Sequence, residues 1–314
     1  MRLLSEVGVA CWLLLFQPAG ALVVYVNSYH AGYPSSDDVM AGVVETLTAE
    51  GVRVETIFLD TKRRSSEAEI AAAAARALEE IQRRRPAVLV VSDDDAVRSL
   101  VVPHFAGGPL PVVFCGVNWS ADRYGLPTRY VTGMVEVLPI AETLSTLAAY
   151  YPDLRRAIVL SERSAAEESN RIAMTPILAG RGLTAEWRLV ATFDEWKAEF
   201  RRANAAADLI VLPTNGGIAG WRDEDAERFV AAEIRRPVVT NDDFMMRYAV
   251  FGRVKVAREQ GEWAGRTALR ILGGESPSAI PLARNQRSRA LINRTLAARI
   301  GFAPSAALEK ELAR

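Results

Sequence analysis

Three consecutive aspartates, Asp93-Asp94-Asp95, follow the apolar run Ala87–Val91 and Ser92. One carboxylate is enough to cap a helix. Three in a row at the end of a buried strand leave groups over to hold an ammonium or another cation. Asp242-Asp243 repeats the pattern after Pro237–Thr240. Paired carboxylates can also act as general acid and base, yet no nucleophile or metal set accompanies these. The chain has two histidines, His30 and His104, and two cysteines, Cys11 and Cys115. A His-rich metal site and a disulfide framework are therefore not expected. Cys115 ends an apolar run and reads as a small buried hydrophobe. No H-E-x-x-H, G-x-S-x-G, C-x-x-C or phosphate-loop pattern occurs.

The other residues able to hold a ligand also sit just after apolar runs. Asn27-Ser28-Tyr29-His30 and Gly32-Tyr33-Pro34 follow Leu22–Val26. Asn118 and Trp119 follow Pro111–Cys115, and Pro213-Thr214-Asn215-Gly216-Gly217 follows Leu209–Leu212. Ser161-Glu162 follows Ala157–Leu160. Trp119 reads either as a stacking wall for a flat ligand or as a rim aromatic. The candidate ligand-binding set is Asn27, Ser28, Tyr29, Tyr33, Ser92, Asp93, Asp94, Asn118, Trp119, Thr214, Asn215, Asp242 and Asp243. No catalytic residue, metal or cofactor is expected.

These positions presuppose alternating strands and helices. Short continuous apolar runs such as LVVYV, AVLVV, PVVFC and LIVL read as strands buried on both faces. Between them lie helical patterns. Asp37 and Asp38 open one helix, and Ser66 with Glu69 forms a capping box for an alanine-rich second. That second helix runs to Arg83-Arg84-Arg85 before Pro86. One of Asp93–Asp95 is expected to cap a third. Lys62-Arg63-Arg64 and the later arginine run read as solvated faces. A second series starts near Ile140 and includes helices over Ala165–Arg181, around Trp196 and Phe200, over Asp223–Ile234 and over Glu259–Leu272. Trp187, Trp196 and Trp263 fall within elements and read as core. Trp221 follows a glycine-rich loop and is placed to close over a cleft. Such alternation gives parallel sheets covered on both faces. The expected fold class is α/β, with two doubly wound Rossmann-like lobes, a hinge and a central cleft. Ligands of such sheets bind at the carboxyl ends of the strands.

The chain has 314 residues, 38 basic and 38 acidic side chains and zero net charge. That length suits about two domains, and the balanced charge argues against nucleic acid or an anionic membrane as partner. Met1–Ala21 reads as a signal peptide, with a short apolar run ending in Ala19-Gly20-Ala21. Cleavage after Ala21 and export to the periplasm are expected. Lipid attachment at Cys11 is the alternative.

Several stretches carry a family resemblance from Leu22 onward: Val26–His30 with Gly32–Pro34, Ser92–Asp95, Val113–Trp119, Thr132–Glu136, Glu259–Trp263, Gly274–Pro277 with Ile280-Pro281, and Leu291–Gly301. The chain resembles the type I periplasmic substrate-binding proteins of ABC transporters, within the family that includes tryptophan and tyrosine binders. The resemblance implies three crossings between lobes, expected near Gly133, Val254 and Pro277. The first lobe would be 22–133 plus 255–276, the second 134–254 plus 277–314. It implies a monomer that presents a small solute to a permease. The alternative is a sensory module reporting to a membrane histidine kinase or cyclase. Acidic strand ends suit an amine, and the aromatics suit a flat portion, so an amino acid or related amine is the expected ligand.

Overall fold

The computed structural model describes residues 20–313; the expected signal peptide and Cys11 lie outside the described residues. Among the described residues, twelve strands form two six-stranded sheets, each with helices on its faces. The first sheet has the order β11-β5-β4-β3-β1-β2. Its strands are β1 (Leu22–Asn27), β2 (Arg53–Phe58), β3 (Val88–Ser92), β4 (Val112–Asn118), β5 (Val131–Glu136) and β11 (Ala283–Arg284). The second has the order β12-β10-β9-β8-β6-β7. It comprises β6 (Arg156–Glu162), β7 (Thr184–Val190), β8 (Leu209–Val211), β9 (Val238–Thr240), β10 (Phe251–Lys255) and β12 (Ser288–Ile292). All pairings are parallel except β10 with β12.

The period of two along β1 explains why this run must be apolar throughout. Leu22, Val24 and Val26 pack into one core with Leu89, Val91 and Phe114. Val23 and Tyr25 pack into a second core, on the opposite face, with Val39, Val43 and Ala264. A strand with helices on both sides has no face left for water. Helices α1 (Pro34–Thr48) and α9 (Ala257–Leu272) cover that second face; α2 (Glu67–Arg84), α3 (Asp94–Ala96) and α4 (Val102–His104) lie on the other side. The second lobe adds α5 (Ile140–Ala148), α6 (Ala165–Ala179), α7 (Phe193–Ala206), α8 (Asp223–Glu233), α10 (Arg294–Arg299) and α11 (Ala306–Leu312). Its core centres on Trp196, which stacks on Phe200 at 5.1 Å and meets Trp221 edge-on at 4.9 Å. Trp221 is thereby anchored in this aromatic cluster. Trp187 and Trp263 are only partly buried, and Trp187 donates to Thr175 Oγ1 at the surface.

Local signals place most boundaries. The Ser66 and Glu69 capping box starts α2 as expected, and Arg85 ends it in the left-handed region at φ 51°. Helix α1 starts at Pro34 rather than at Asp37, because proline in the first turn has no N–H to leave unpaired. The expected aspartate cap is absent. Asp93 has φ 70° and makes no side-chain cap. Ser28 Oγ accepts from Ala96 N at 2.9 Å and donates to Ser92 O at 2.6 Å instead. The cap of α3 thus comes from the loop after β1, and the helix continues through a π-helical turn over Val97–Val101 into α4.

The chain passes between the sheets three times: after Glu136 at the end of β5, after Lys255 at the end of β10, and between β11 and β12. The third passage lies beyond the Pro277 expected from sequence. Ala283 and Arg284 pair with Met134 and Val135 of the first sheet, and Thr132 Oγ1 donates to Ile280 O. A two-residue strand is too short to leave a periodic pattern.

Candidate functional site

The carboxyl ends of both sheets converge. Asn27, the last residue of β1, accepts from Tyr29 N at 2.9 Å and Ser36 Oγ at 2.6 Å, which fixes the loop into α1. Tyr29 and Tyr33 then meet edge-to-face at 5.1 Å. Tyr33 reaches the second lobe, where its hydroxyl bonds Thr214 Oγ1 at 2.8 Å and its ring lies 5.7 Å from Phe244. Its ring also lies against Gly216, where a Cβ would meet Tyr33 Cε2 well inside contact distance. Gly216→Ala is therefore expected to hold the lobes apart while each lobe stays folded. Small-angle scattering should show a larger radius of gyration with an unchanged circular dichroism spectrum; an unchanged radius would refute the close approach.

Around these tyrosines lie five carboxyl groups and two ammonium groups. Lys255 Nζ bonds Glu136 Oε1 at 2.5 Å and Asp242 Oδ1 at 3.3 Å, joining the two sheets. Lys62, on the loop after β2, pairs with Glu162 at the end of β6. Its Nζ sits 4.8 Å from the Tyr29 ring centre and 5.4 Å from that of Tyr33. Glu162 Oε2 also accepts from Gly217 N at 2.5 Å. Burial works against both ammonium charges, but the paired carboxylates more than offset it, so both lysine pKa values lie above the ordinary value. Glu167, in the first turn of α6, accepts from Asn170 Nδ2 at 2.7 Å through Oε1, while its buried Oε2 has no partner. Asp93 accepts from Val97 N at 3.2 Å through its backbone carbonyl. Burial, then the Glu136 charge, pushes the Asp93 carboxyl up to about 8. Burial, then Glu162, pushes Glu167 up to about 7. Asp242 is raised too, with burial outweighing its pairing to Lys255.

All of these groups but Glu162 border a cavity of about 40 Å³, lined by Tyr29, Tyr33, Asp93, Asn118, Glu136, Glu167, Thr214, Asp242 and Lys255, among others. That is room for a few waters at most, so an amino-acid-sized molecule enters only when the lobes part. A wider groove of about 870 Å³ opens outward past His30, Tyr33, Lys62, Arg163, Gly216, Trp221 and Phe244.

The expected residues divide accordingly. Tyr29, Tyr33, Asp93, Asn118, Thr214 and Asp242 border the cavity, and Asn215 borders the groove. Asn27, Ser28 and Ser92 have no exposure and bond within the first lobe; Ser92 Oγ bonds Tyr25 OH at 2.8 Å. They shape the loops rather than face the cavity. Asp94 holds the loop after β4 through Asn118 N, Asn118 Nδ2, Tyr124 OH and Arg123. Trp119 donates to Asn170 Oδ1 at 2.8 Å across the cleft and packs on the second lobe's core. Asp243 lies outside the cavity and pairs with Arg289 at 3.0 Å. Sequence reasoning left out Lys62, Glu136, Glu167 and Lys255 as site residues, and noted Glu162 at its strand end without placing it in the candidate set. Lys62, read as solvated, is 8% exposed. A signal was present: the chain has four lysines against thirty-four arginines, and two of the four are these. Lysine's compact point charge suits a small cage where a guanidinium fork does not fit.

Two parallel sheets facing one another across a cleft, with three chain crossings between them, define the type I periplasmic binding fold. The chain belongs to the ABC transporter substrate-binding protein family, whose model matches residues 27–312. It is a ligand-capturing transport binding protein of that fold. Among solved structures, a domain from Streptococcus pneumoniae in complex with L-Trp is similar at a TM-score of 0.74 and 16% identity, covering 93% of this chain and 98% of that one. A substrate binding protein with adhesive properties from Clostridium difficile, in its ligand-free, open form, is similar at 0.66 and 14%, covering 91% and 96%. The 5-methylthioribose transporter solute binding protein from Thermotoga lettingae is similar at 0.61 and 13%, covering 95% and 93%. No curated protein matches the chain.

Proposed function

We propose that this chain is exported to the periplasm, captures an amino-acid-like or other amine-bearing solute between its lobes, and delivers it to an ABC permease. One observation carries the ligand class. Asp93 from the first lobe and Glu167 from the second border one cavity, and among the described residues no donor reaches the buried Glu167 Oε2. Buried acceptors without donors are costly, and an ammonium supplies donors and charge at once. The nearby ammonium groups of Lys62 and Lys255 suit a carboxylate at the other end of such a ligand. The Streptococcus neighbour's amino acid agrees with this class, and the 5-methylthioribose of the Thermotoga neighbour does not.

Native mass spectrometry of the gently purified protein tests the reading, followed by thermal shift against amino acids, amines and neutral sugars. A retained amine, or stabilisation by amines alone, is the expected result. A retained sugar, with no response to any amine, would overturn the ligand class and leave the binding fold intact.

A further inference from the structure

We infer that Tyr29, Tyr33 and Glu162 form a second cation seat, which the chain fills with its own Lys62 and which takes a ligand's alkylammonium group when Lys62 withdraws.

The seat is built without help from Lys62. Tyr33 is held by its hydroxyl to Thr214 at 2.8 Å and by its edge-to-face contact with Tyr29. Glu162, with no exposure, is held by Gly217 N at 2.5 Å. Two tyrosine faces and one carboxylate around an ammonium are a general solution for holding amines, since ring faces and carboxylate are both negative. Lys62 reaches this seat from the first lobe, while Glu162 belongs to the second, so the occupied seat also ties the lobes together.

The cavities support withdrawal. Lys62 borders the buried cavity of about 40 Å³, the groove of about 870 Å³ and a third space of about 340 Å³ reaching Asp95 and Arg98. Its side chain is thus a wall common to all three spaces between the lobes. With Lys62 swung outward, the seat faces the groove from which a ligand would arrive. A four-carbon stem carrying one charge is itself a tethered alkylamine. The seat's natural competitor is accordingly a primary or methylated alkylammonium. This inference stands apart from the ligand proposed for Asp93 and Glu167.

The test is chemical rescue of Lys62→Ala. Wild type, the variant and Lys62→Ala/Glu162→Gln are compared by thermal shift and small-angle scattering with n-butylamine, tetramethylammonium and, as neutral control, 1-butanol. Lys62→Ala should melt lower and scatter as a larger particle. n-Butylamine should restore both, 1-butanol should not, and the double variant should show no rescue. A folded Lys62→Ala that ignores n-butylamine overturns the seat. So does equal rescue by 1-butanol, or a response no larger than in wild type. Should wild type ignore every amine while Lys62→Ala responds, the seat stands and the amine reading of the Asp93 cavity falls. Should Lys62→Ala fail to fold, reductive methylation of wild type decides. Lys62 should react at least about tenfold more slowly than exposed Lys310, since its reaction requires local opening. Glu162→Gln should remove that protection. Equal rates in the wild type would overturn the inference.

Discussion

Gly261→Ala is expected to destabilise the first lobe by about 3 kcal/mol or more, a severe loss for one methyl group. Helices α1 and α9 touch backbone to backbone. A Cβ at Gly261 would strike Val39 O and lie 2.8 Å from Val43 N, and one at Gly42 would lie 2.6 Å from Arg258 O. Neither neighbour is a side chain that can turn away, so one helix must shift off the sheet core of Val23, Tyr25 and Val113. Helix α9 also returns the chain to the first lobe after the crossing at Lys255, so its displacement moves the hinge. At about 2–4 °C per kcal/mol for a domain of this size, calorimetry should show a fall on the order of 6–12 °C. Gly107→Ala is the control, because nothing lies within 4 Å of a Cβ there. Its effect should stay within about 0.5 kcal/mol. A loss below about 1 kcal/mol for Gly261→Ala would contradict so close a helix contact.

What could be read from the sequence divides by range. Strands such as β1 and β3 were legible because a strand buried on both faces has to be apolar at every position. Helix α2 was legible because both partners of its capping box lie within four residues. The Asp93–Asp95 cap misled because the real cap of α3, the acceptor Ser28 Oγ, is sixty-eight residues from Ala96. No local pattern encodes a cap at that distance. The acidic strand ends were legible as a cluster, but two of their cationic partners are supplied by this chain. Lys62 was hidden beside Arg63 and Arg64, which do lie exposed, and it follows β2, a strand whose end was not searched. Glu136 and Lys255 sit on the last residues of β5 and β10 and pair with each other from different sheets, a contact that no local pattern records. The sequence therefore marks the strand ends that converge around the cavity and leaves their ion pairing to the tertiary fold.

Asp93→Asn is expected to weaken amine binding by on the order of 30-fold or more, the usual loss when one member of a buried charge pair is neutralised. Its effect on pH dependence separates this from a packing defect. An ordinary aspartate ionises near pH 4. With the lobes closed, Asp93 keeps its proton up to about 8. Between those values the closed form without a cation binds one proton more than the open form. Its stability is therefore full at low pH and is lost as pH rises through that window. An ammonium needs the carboxylate, so its binding must expel the proton. Affinity for a primary amine should then rise from pH 6 to 8, by up to about tenfold per unit from Asp93, while the amine itself stays charged. In Asp93→Asn that slope should shrink to the contribution of Glu167, which titrates about 7 and levels off sooner. Glu167→Gln should leave the slope near pH 8 and remove part of it below 7. Titration calorimetry at three pH values, in buffers of different ionisation enthalpy, reads both affinity and protons released. Unchanged affinity in Asp93→Asn, or wild-type binding that releases no proton at pH 7, would remove Asp93 from the cation's surroundings.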